Sequence, residues 1–174
     1  MSLVDDTPDA ADVSRLLAAA TKIIGKVRYC WLLTADGNGA ARSRPMGRVP
    51  RDADGDEWTI RFITDGRSRK AADMRRVGQV SLLFQHDPED AFILLAGKAS
   101  LAESRLEVRK RWTDALDAIL PSYVSEQAGA NAIFVDVDVE RMELWIRGVT
   151  PEPFGQRATI LERDAGRGWR AVFR

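Results

Sequence analysis

Short segments typical of β-strands, separated by turns of only a few residues, dominate the chain and limit the folds open to it. Residues 28–34, 40–49, 57–64, 79–84 and 91–101 are rich in branched and aromatic residues or alternate apolar with polar side chains. Most connections between these segments are too short for a parallel crossover, which argues against a doubly wound parallel sheet. The pattern predicts a mainly antiparallel sheet closed into a small barrel, with helices packed outside it.

The second half of the chain continues this pattern. Residues 131–139, 141–147, 159–163 and 169–173 are predicted as further strands. Pro45 interrupts the second predicted strand of the chain, which indicates an edge strand, a bulge or the end of the strand at that position.

Three segments have the apolar spacing of helices. The first is predicted from about Asp9 to Gly25, so that residues 1–25 pack as an N-terminal helix outside the barrel. The second is predicted over 67–76. The third is predicted as one continuous amphipathic helix over 103–120.

The residues also predict the inward face of the second helix and the end of the third. The second helix is expected to turn Ala71, Ala72 and Met74 inward. Pro121 is expected to end the third helix, because proline cannot donate the backbone hydrogen bond that would continue it.

Composition excludes several classes of function. The 174 residues fit a single domain spanning 1–174, and their 26 basic and 26 acidic side chains give zero net charge. No nucleic-acid partner is expected, because a dedicated nucleic-acid-binding protein is normally strongly basic. No apolar run approaches the roughly 20 residues that span a bilayer, so no membrane association is expected either.

Neither the single cysteine nor the single histidine is expected to have a catalytic or metal-binding role. Cys30 lies among apolar residues and is predicted to be a buried thiol in a protein of the reducing cytoplasm. His86 is predicted to lie in a loop, and one histidine cannot build a histidine-based zinc site. We therefore expect no metal.

Positive charge is concentrated between residues 42 and 76, which contain ten basic and six acidic side chains. Arg42 and Arg44 are two residues apart in a predicted strand and therefore share one face, with Ser43 on the other. Two guanidinium groups on one face repel each other unless an anion or carboxylates lie between them.

A second basic cluster combines a strand end, a glycine turn and a helix start. The N–H groups and the positive dipole end of a helix N-terminus bind phosphate. Around the turn at Gly66, the hydroxyls of Thr64 and Ser68 and the cations of Arg69 and Lys70 complete such a site. The sequence predicts a site for a small phosphorylated ligand.

The segment Phe62–Ala71, followed by the strand Val80–Phe84, resembles the signature of the pyridoxamine 5'-phosphate oxidase-like, FMN-binding split-barrel family. Ser43–Met46, Gly97–Ala99 and Arg141–Trp145 are similar to its general-stress-protein branch. The similarity extends over most of the chain, from about residue 23 to residue 173.

The resemblance implies a six-stranded antiparallel split barrel, mainly β with flanking helices, that forms a homodimer. It implies two FMN molecules, one at each end of the dimer interface, and a small-molecule redox substrate. Trp145 and Arg157 would reach the cofactor from the other subunit.

Carried over by position, the resemblance also implies how the ribityl chain and phosphate are held. Ile63 and Thr64 would line this part of the cofactor, and Ser68, Arg69 and Lys70 would hold the phosphate.

Residues of the second predicted strand would contact the rest of the cofactor. Arg44 would contact the flavin or its phosphate, and Pro45 and Met46 would line the ring. Arg42 is a second candidate for the arginine contact, because the length of the preceding turn leaves the register open by two residues.

Two departures from the family pattern concern the substrate. The true oxidases bind their substrate's phosphate through an Arg-x-His segment after the tryptophan, and residues 147–157 contain no histidine. Phe92 stands where the family carries a glutamine near the flavin. We therefore expect an FMN-dependent oxidoreductase of unknown substrate, in keeping with a stress-related role, rather than a true pyridoxamine phosphate oxidase. No catalytic residue stands out.

Three alternatives remain open on the same fold. The chain could be a non-catalytic flavin-binding or flavin-sensing module, or a deazaflavin-dependent reductase, whose cofactor needs a similar phosphate site; haem is disfavoured by the single histidine. A structural barrel without a ligand is the third, and it predicts that carboxylates neutralise Arg42 and Arg44.

Overall fold

A computed structural model describes residues 10–50, 54–121 and 130–172. The strands are β1 (Tyr29–Ala35), β2 (Ala41–Gly47), β3 (Thr59–Asp65), β4 (Gln79–His86), β5 (Ala91–Ala102), β6 (Ala132–Ile146), β7 (Thr159–Arg163) and β8 (Trp169–Val172). The helices are α1 (Ala10–Lys26), α2 (Arg69–Val77), α3 (Arg105–Arg111) and α4 (Asp114–Ile119).

The sheet is antiparallel throughout, with the strand order β2-β1-β4-β5-β6-β7-β8, and β3 pairs with β6. A bridge between Val49 and Arg61 joins the segment after β2 to β3, so that β1 to β6 return on themselves as a six-stranded split barrel. The β7–β8 hairpin extends the sheet along the second half of β6. The mainly β class with flanking helices is confirmed, and the described sheet has eight strands rather than six.

One long strand replaces the two strands predicted over 131–139 and 141–147. In the pairing of β5 with β6, Ala96 lies opposite Arg141 and Gly97 opposite Val139, which leaves Glu140 as an extra, bulged residue. The bulge shifts the inward face of β6 from odd-numbered to even-numbered positions, and this shift suggested two separate strands in the sequence.

The helix predicted over 103–120 is also wrong as a single element, because the chain becomes extended between α3 and α4. There the ring of Trp112 packs edge-on against Phe134, with ring centroids 6.2 Å apart. The two shorter helices leave Leu106 and Ile119 largely exposed, although the helical spacing had placed both on the inner face.

Helix α1 packs its apolar side against the barrel core through Leu16, Ala20, Ile23 and Ile24. The predicted start of this helix at residue 9 lies outside the described residues, and the helix ends one residue beyond the predicted Gly25. None of the helices in the described ranges is long and apolar enough to cross a bilayer.

The burial of Cys30 is confirmed, whereas the loop position of His86 is not. Burial raises the pKa of the Cys30 thiol to about 12, so it is unreactive at neutral pH. His86 is the last residue of β4, and its Nδ1 lies 3.3 Å from the Glu89 carboxylate.

Candidate functional site

Helix α2 begins at a side-chain cap, and a second side chain orders the turn before it. Ser68 is the N-cap residue, and its Oγ accepts a hydrogen bond from the backbone N–H of Ala71 at 3.3 Å. In the turn, the Asp65 carboxylate accepts a hydrogen bond from the backbone N–H of Arg67 at 2.7 Å. The helix therefore starts at Arg69, two residues later than predicted.

The arginines of β2 point to the inner side of the sheet. Arg42, Arg44 and Met46 alternate with the exposed Ser43 and Pro45 along the strand. Met46 is buried in the barrel core. Pro45 therefore lies on the opposite face of β2 from Arg44 and Met46, although the resemblance implied that Pro45 and Met46 line the same ring.

The inward residue of α2 that matters most is Asp73, which sequence reasoning missed. Ala72 was expected to face inward, but Ala72 is exposed and the Asp73 side chain is only 3% exposed. The helix begins two residues later than predicted, and the inward positions are Ala71, Asp73 and Met74. A carboxylate three residues before Arg76 was the sequence signal, because residues so spaced are neighbours on a helix and the two side chains form an ion pair.

Asp73 collects hydrogen bonds from three elements. The hydroxyl of Thr34 on β1 donates to its Oδ2 at 3.1 Å, and Arg42 on β2 lies 3.3 Å from both carboxylate oxygens. Arg76, one turn along α2, donates to Oδ1 at 3.0 Å. Arg44 Nη2 lies 3.8 Å from Oδ2.

Arg42 and Arg44 differ in how far these contacts neutralise them. Arg42 also donates to the Asp36 carboxylate at 3.1 Å, so its guanidinium is shared between two carboxylates. Arg44 donates to Thr34 Oγ1 at 3.0 Å and has no closer carboxylate than Asp73 within the described ranges. A barrel without a ligand was expected to neutralise both arginines with carboxylates. The structure contains such contacts, but they neutralise only Arg42 fully.

The start of α2 adds uncompensated positive charge beside Arg44. Burial, and secondarily the positive charge of Arg44, lower the pKa of Lys70, and Asp65 only partly offsets them. Arg42, Arg69 and Arg76 line an open pocket of about 360 Å³ together with the carboxylates of Asp36 and Asp73, and neither Arg44 nor Lys70 lines it. An anion that entered between Arg44 and Lys70 would relieve the repulsion between them.

The two residues predicted to line the ribityl chain and phosphate, Ile63 and Thr64, lie on opposite faces of β3. Thr64 is 2% exposed, and it shares the face of β3 that Phe62 turns to the barrel core. Ile63 lies on the other face, in a second apolar cluster that contains Phe134.

Trp145 and Arg157 lie apart from this cluster within one chain. Trp145 is on the outer face of β6, opposite Phe92 of β5, and β6 is the fifth strand in the order that begins with β2. Arg157 is exposed in the connection between β6 and β7. A single chain therefore brings together Arg42, Arg44, Arg69 and Lys70 without these two residues.

The family model described as "Pyridoxamine 5'-phosphate oxidase like" matches residues 17–149, which include every strand of the barrel. The chain belongs to the pyridoxamine 5'-phosphate oxidase-like family. The resemblance of the Phe62–Ala71 segment to this family is thereby confirmed. No curated protein sequence matches the chain significantly.

Solved structures share the fold of this pyridoxamine 5'-phosphate oxidase-like protein. A pyridoxamine 5'-phosphate oxidase-related, FMN-binding protein from Nostoc punctiforme is 18% identical over 100% of both chains, with a TM-score of 0.63. A protein from Clostridium acetobutylicum related to general stress protein 26 is 14% identical over 85% of this chain and 94% of its own, with a TM-score of 0.65. An F420 reductase is 12% identical over 70% of this chain and 93% of its own, with a TM-score of 0.54.

Proposed function

We propose that this chain binds FMN through the cluster at the start of α2 and acts as an FMN-dependent oxidoreductase. The observation that carries the proposal is the pair of under-compensated cations, Arg44 and Lys70, beside a capped helix N-terminus. A phosphate monoester, with close to two negative charges at neutral pH, has the charge and the size for this position.

The donors around this position fit a phosphate. The backbone N–H groups of Arg69 and Lys70, in the first turn of α2, need acceptors from outside the helix. Ser68 Oγ already accepts the cap hydrogen bond, so its O–H is free to donate to an anion. Arg44 keeps guanidinium N–H groups beyond the one that Thr34 accepts, and arginine binds phosphate well through two such groups.

Between the two arginines that the sequence left open, the contacts favour Arg44 as the one that touches the cofactor. Arg42 is committed to Asp36 and Asp73, and moving it would leave two carboxylates without their shared partner. We assign Arg42 to the support of the site and Arg44 to the ligand.

Bound FMN would supply the hydride or electron transfer, and the protein would hold and orient it. Arg44, Ser68, Arg69 and Lys70 hold the phosphate in this proposal. Thr64, buried near the end of β3, would line the ribityl chain. No side chain of the cluster is assigned as a proton donor or acceptor.

We also propose that a second copy of the chain completes the site. Tyr29 and Trp31 are 55% and 45% exposed on the outer face of β1. The pairing register extends this apolar row from Trp31 to Leu83 and then to Leu94 on the neighbouring strands. Aromatic residues exposed in a continuous apolar row mark an interaction surface.

Trp145 lies on this same outer face, one strand beyond Leu94. If two copies cover their outer faces with each other, one protomer's Trp145 and Arg157 can approach its partner's cofactor. This arrangement accounts for the separation of Trp145 from Arg44 within one chain.

A deazaflavin reductase is the second candidate function. The similarity of the fold to an F420 reductase favours it, and the deazaflavin F420 carries a phosphate that the same donors would bind. A visible spectrum together with the mass of the ligand released from purified protein distinguishes FMN from a deazaflavin.

The decisive test is titration of the purified protein with FMN, followed by flavin fluorescence. The double variant Arg44→Gln, Lys70→Gln should weaken binding by roughly 100-fold, because it removes two charge-assisted contacts to the phosphate. Lys98→Gln, which changes an exposed lysine paired with Glu140, is the control and should bind like the wild type. A wild-type protein with no affinity for FMN or a deazaflavin would refute the proposed function.

A further inference from the structure

We propose that Asp73 is a positioning residue of the phosphate site: it holds the strand arginines and the start of α2 in register and leaves Arg44 directed at the ligand. This inference rests on the proposed function, since the ligand is the phosphate of the cofactor. Asp73 itself would not touch the ligand.

The first support is the position of Asp73 in the fold. Its carboxylate, on α2, accepts hydrogen bonds from Thr34 on β1 and from Arg42 on β2. The donors of the proposed site are divided between the same elements, because Arg44 lies on β2 and Lys70 on α2. Asp73 therefore ties together the two halves of the site.

The second support is the orientation of the Thr34 hydroxyl. Its oxygen lies 3.1 Å from Asp73 Oδ2 and 3.0 Å from Arg44 Nη2. A carboxylate accepts only, and a guanidinium donates only, so the hydroxyl must donate to Asp73 and accept from Arg44. Asp73 thereby fixes the hydroxyl, and the hydroxyl fixes one edge of the Arg44 guanidinium.

The third support is charge. Arg42, Arg44 and Arg76 all lie within 4 Å of a carboxylate whose side chain is 3% exposed. Without its negative charge, three guanidinium groups would face one another in a half-buried space, and they would separate toward solvent. Arg44 would then lose its fixed direction.

Removal of the Asp73 charge has two opposing effects on an anionic ligand. It removes a nearby negative charge, which by itself strengthens binding, and it releases Arg44, which weakens binding. We expect the loss of orientation to dominate, because a bidentate contact to the phosphate depends on the direction of the Arg44 guanidinium.

The experiment compares affinities for FMN and for riboflavin, which has the same ring and ribityl chain but no phosphate. In Asp73→Asn, the preference for FMN over riboflavin should fall about tenfold, the size of one charge-assisted hydrogen bond. Thr34→Val keeps the Asp73 charge and breaks only the link to Arg44, so it should lower the same preference about threefold. If Asp73→Asn does not fold, the Thr34→Val variant still tests whether Asp73 orients Arg44 through the Thr34 hydroxyl.

The matched control is Asp36→Asn, which makes the same change of net charge. Asp36 contacts Arg42 in the turn between β1 and β2 and makes no contact with Arg44. The preference of the Asp36→Asn variant for FMN over riboflavin should stay within about twofold of that of the wild type. An unchanged or increased preference in Asp73→Asn and Thr34→Val, or an equal loss of affinity for both ligands, would overturn the inference.

A second readout separates this inference from the proposed function. Inorganic phosphate should raise the Tm of the wild type relative to chloride at equal ionic strength, and at the same phosphate concentration it should raise the Tm of Asp73→Asn distinctly less. If the wild type binds no flavin, the proposed function fails while this comparison still tests Asp73. An equal rise of Tm in both proteins would refute the positioning role.

Discussion

At the scale of single residues, whether an arginine of the cluster can bind a ligand depends on which acceptor its guanidinium already contacts. Arg42 and Arg44 are two positions apart on one face of β2, yet Arg42 meets two carboxylates and Arg44 meets a hydroxyl. Of these two arginines, Arg42 therefore has a structural role, and Arg44 can contact a ligand.

Lys70 should make FMN binding depend on pH. Burial and the charge of Arg44 lower its pKa in the ligand-free protein, and a bound phosphate would raise it again. Affinity should therefore be full where Lys70 is protonated and decline as the pH rises through the lowered pKa, below the ordinary value of 10.5. Titrations at constant ionic strength, from neutral to alkaline pH, measure this decline.

Two controls identify Lys70 as the source of that decline. Riboflavin should show no such loss, because it carries the same ring without the phosphate. Lys70→Arg keeps its charge across this range, so its FMN affinity should stay constant. Parallel losses for both flavins would exclude Lys70 as the titrating group.

Asp56 should contribute stability that is lost in acid. Burial alone would raise the pKa of its carboxyl, but hydrogen bonds from Arg163, the Trp58 backbone N–H and Arg167 outweigh burial and bring it from 3.8 to about 2. The contribution is complete above pH 3.8 and disappears as the pH falls through about 2, because the unfolded chain binds the proton first.

Asp56→Asn should therefore lower the free energy of unfolding by about 1 kcal/mol at neutral pH, a value reduced for the partial exposure of the group. Urea denaturation at several pH values measures the difference, which should shrink toward the acid end of the series. Asp54→Asn, an exposed change in the same loop, should have little effect at any pH. A pH-independent cost at Asp56 would contradict this account.

At the scale of elements, the β5–β6 bulge allows one strand to serve two neighbours. The first half of β6 pairs with β3 and the second half with β7, and the inward face changes phase at Glu140 between them. Gly97 makes this possible, because a Cβ at that position would lie 2.0 Å from the Asp138 carbonyl oxygen.

Gly97→Ala should lower the free energy of unfolding by about 3 kcal/mol, because the added methyl group meets backbone rather than a movable side chain. Urea denaturation checks this value. Gly25→Ala is the matched control: a Cβ there meets nothing within 4 Å, and alanine favours the helix. Equal stability of the two variants would mean that the bulge rearranges at little cost.

At the scale of the whole molecule, the outer face of the sheet is the surface that we propose a second copy of the chain covers. It presents Tyr29 and Trp31 to solvent, with Leu83 and Leu94 continuing the row. A self-complementary patch of this kind suits a two-fold dimer.

Trp31→Glu should convert the proposed dimer to a monomer and weaken FMN binding with it, because a buried charge in the interface has no partner. Sedimentation velocity reports the mass, and flavin titration of the same sample reports the affinity. Leu106→Glu, at a residue 65% exposed on α3, is the control and should leave both unchanged. A wild type that sediments as a monomer at high concentration would reject the dimer.

Local features of the site could be predicted from the sequence, and nonlocal ones could not. The turn at Gly66 and a helix just after it follow from neighbouring residues, and the structure contains both. The role of Asp73 depends on Thr34 and Arg42, which are distant in sequence, and on a helix start two residues from the predicted one. The bulge at Glu140 was visible as a change of phase, but the same pattern fits two strands.

The engagement of Arg42 by two carboxylates has a consequence for the life of the protein in the cell. Because much of the positive charge in the cluster already has an internal counter-ion, we expect the polypeptide to fold without the proposed cofactor. If the chain binds FMN as proposed, newly made chains would accumulate in a ligand-free form and bind the cofactor when it becomes abundant. Occupancy would then follow the supply of cofactor rather than the rate of synthesis.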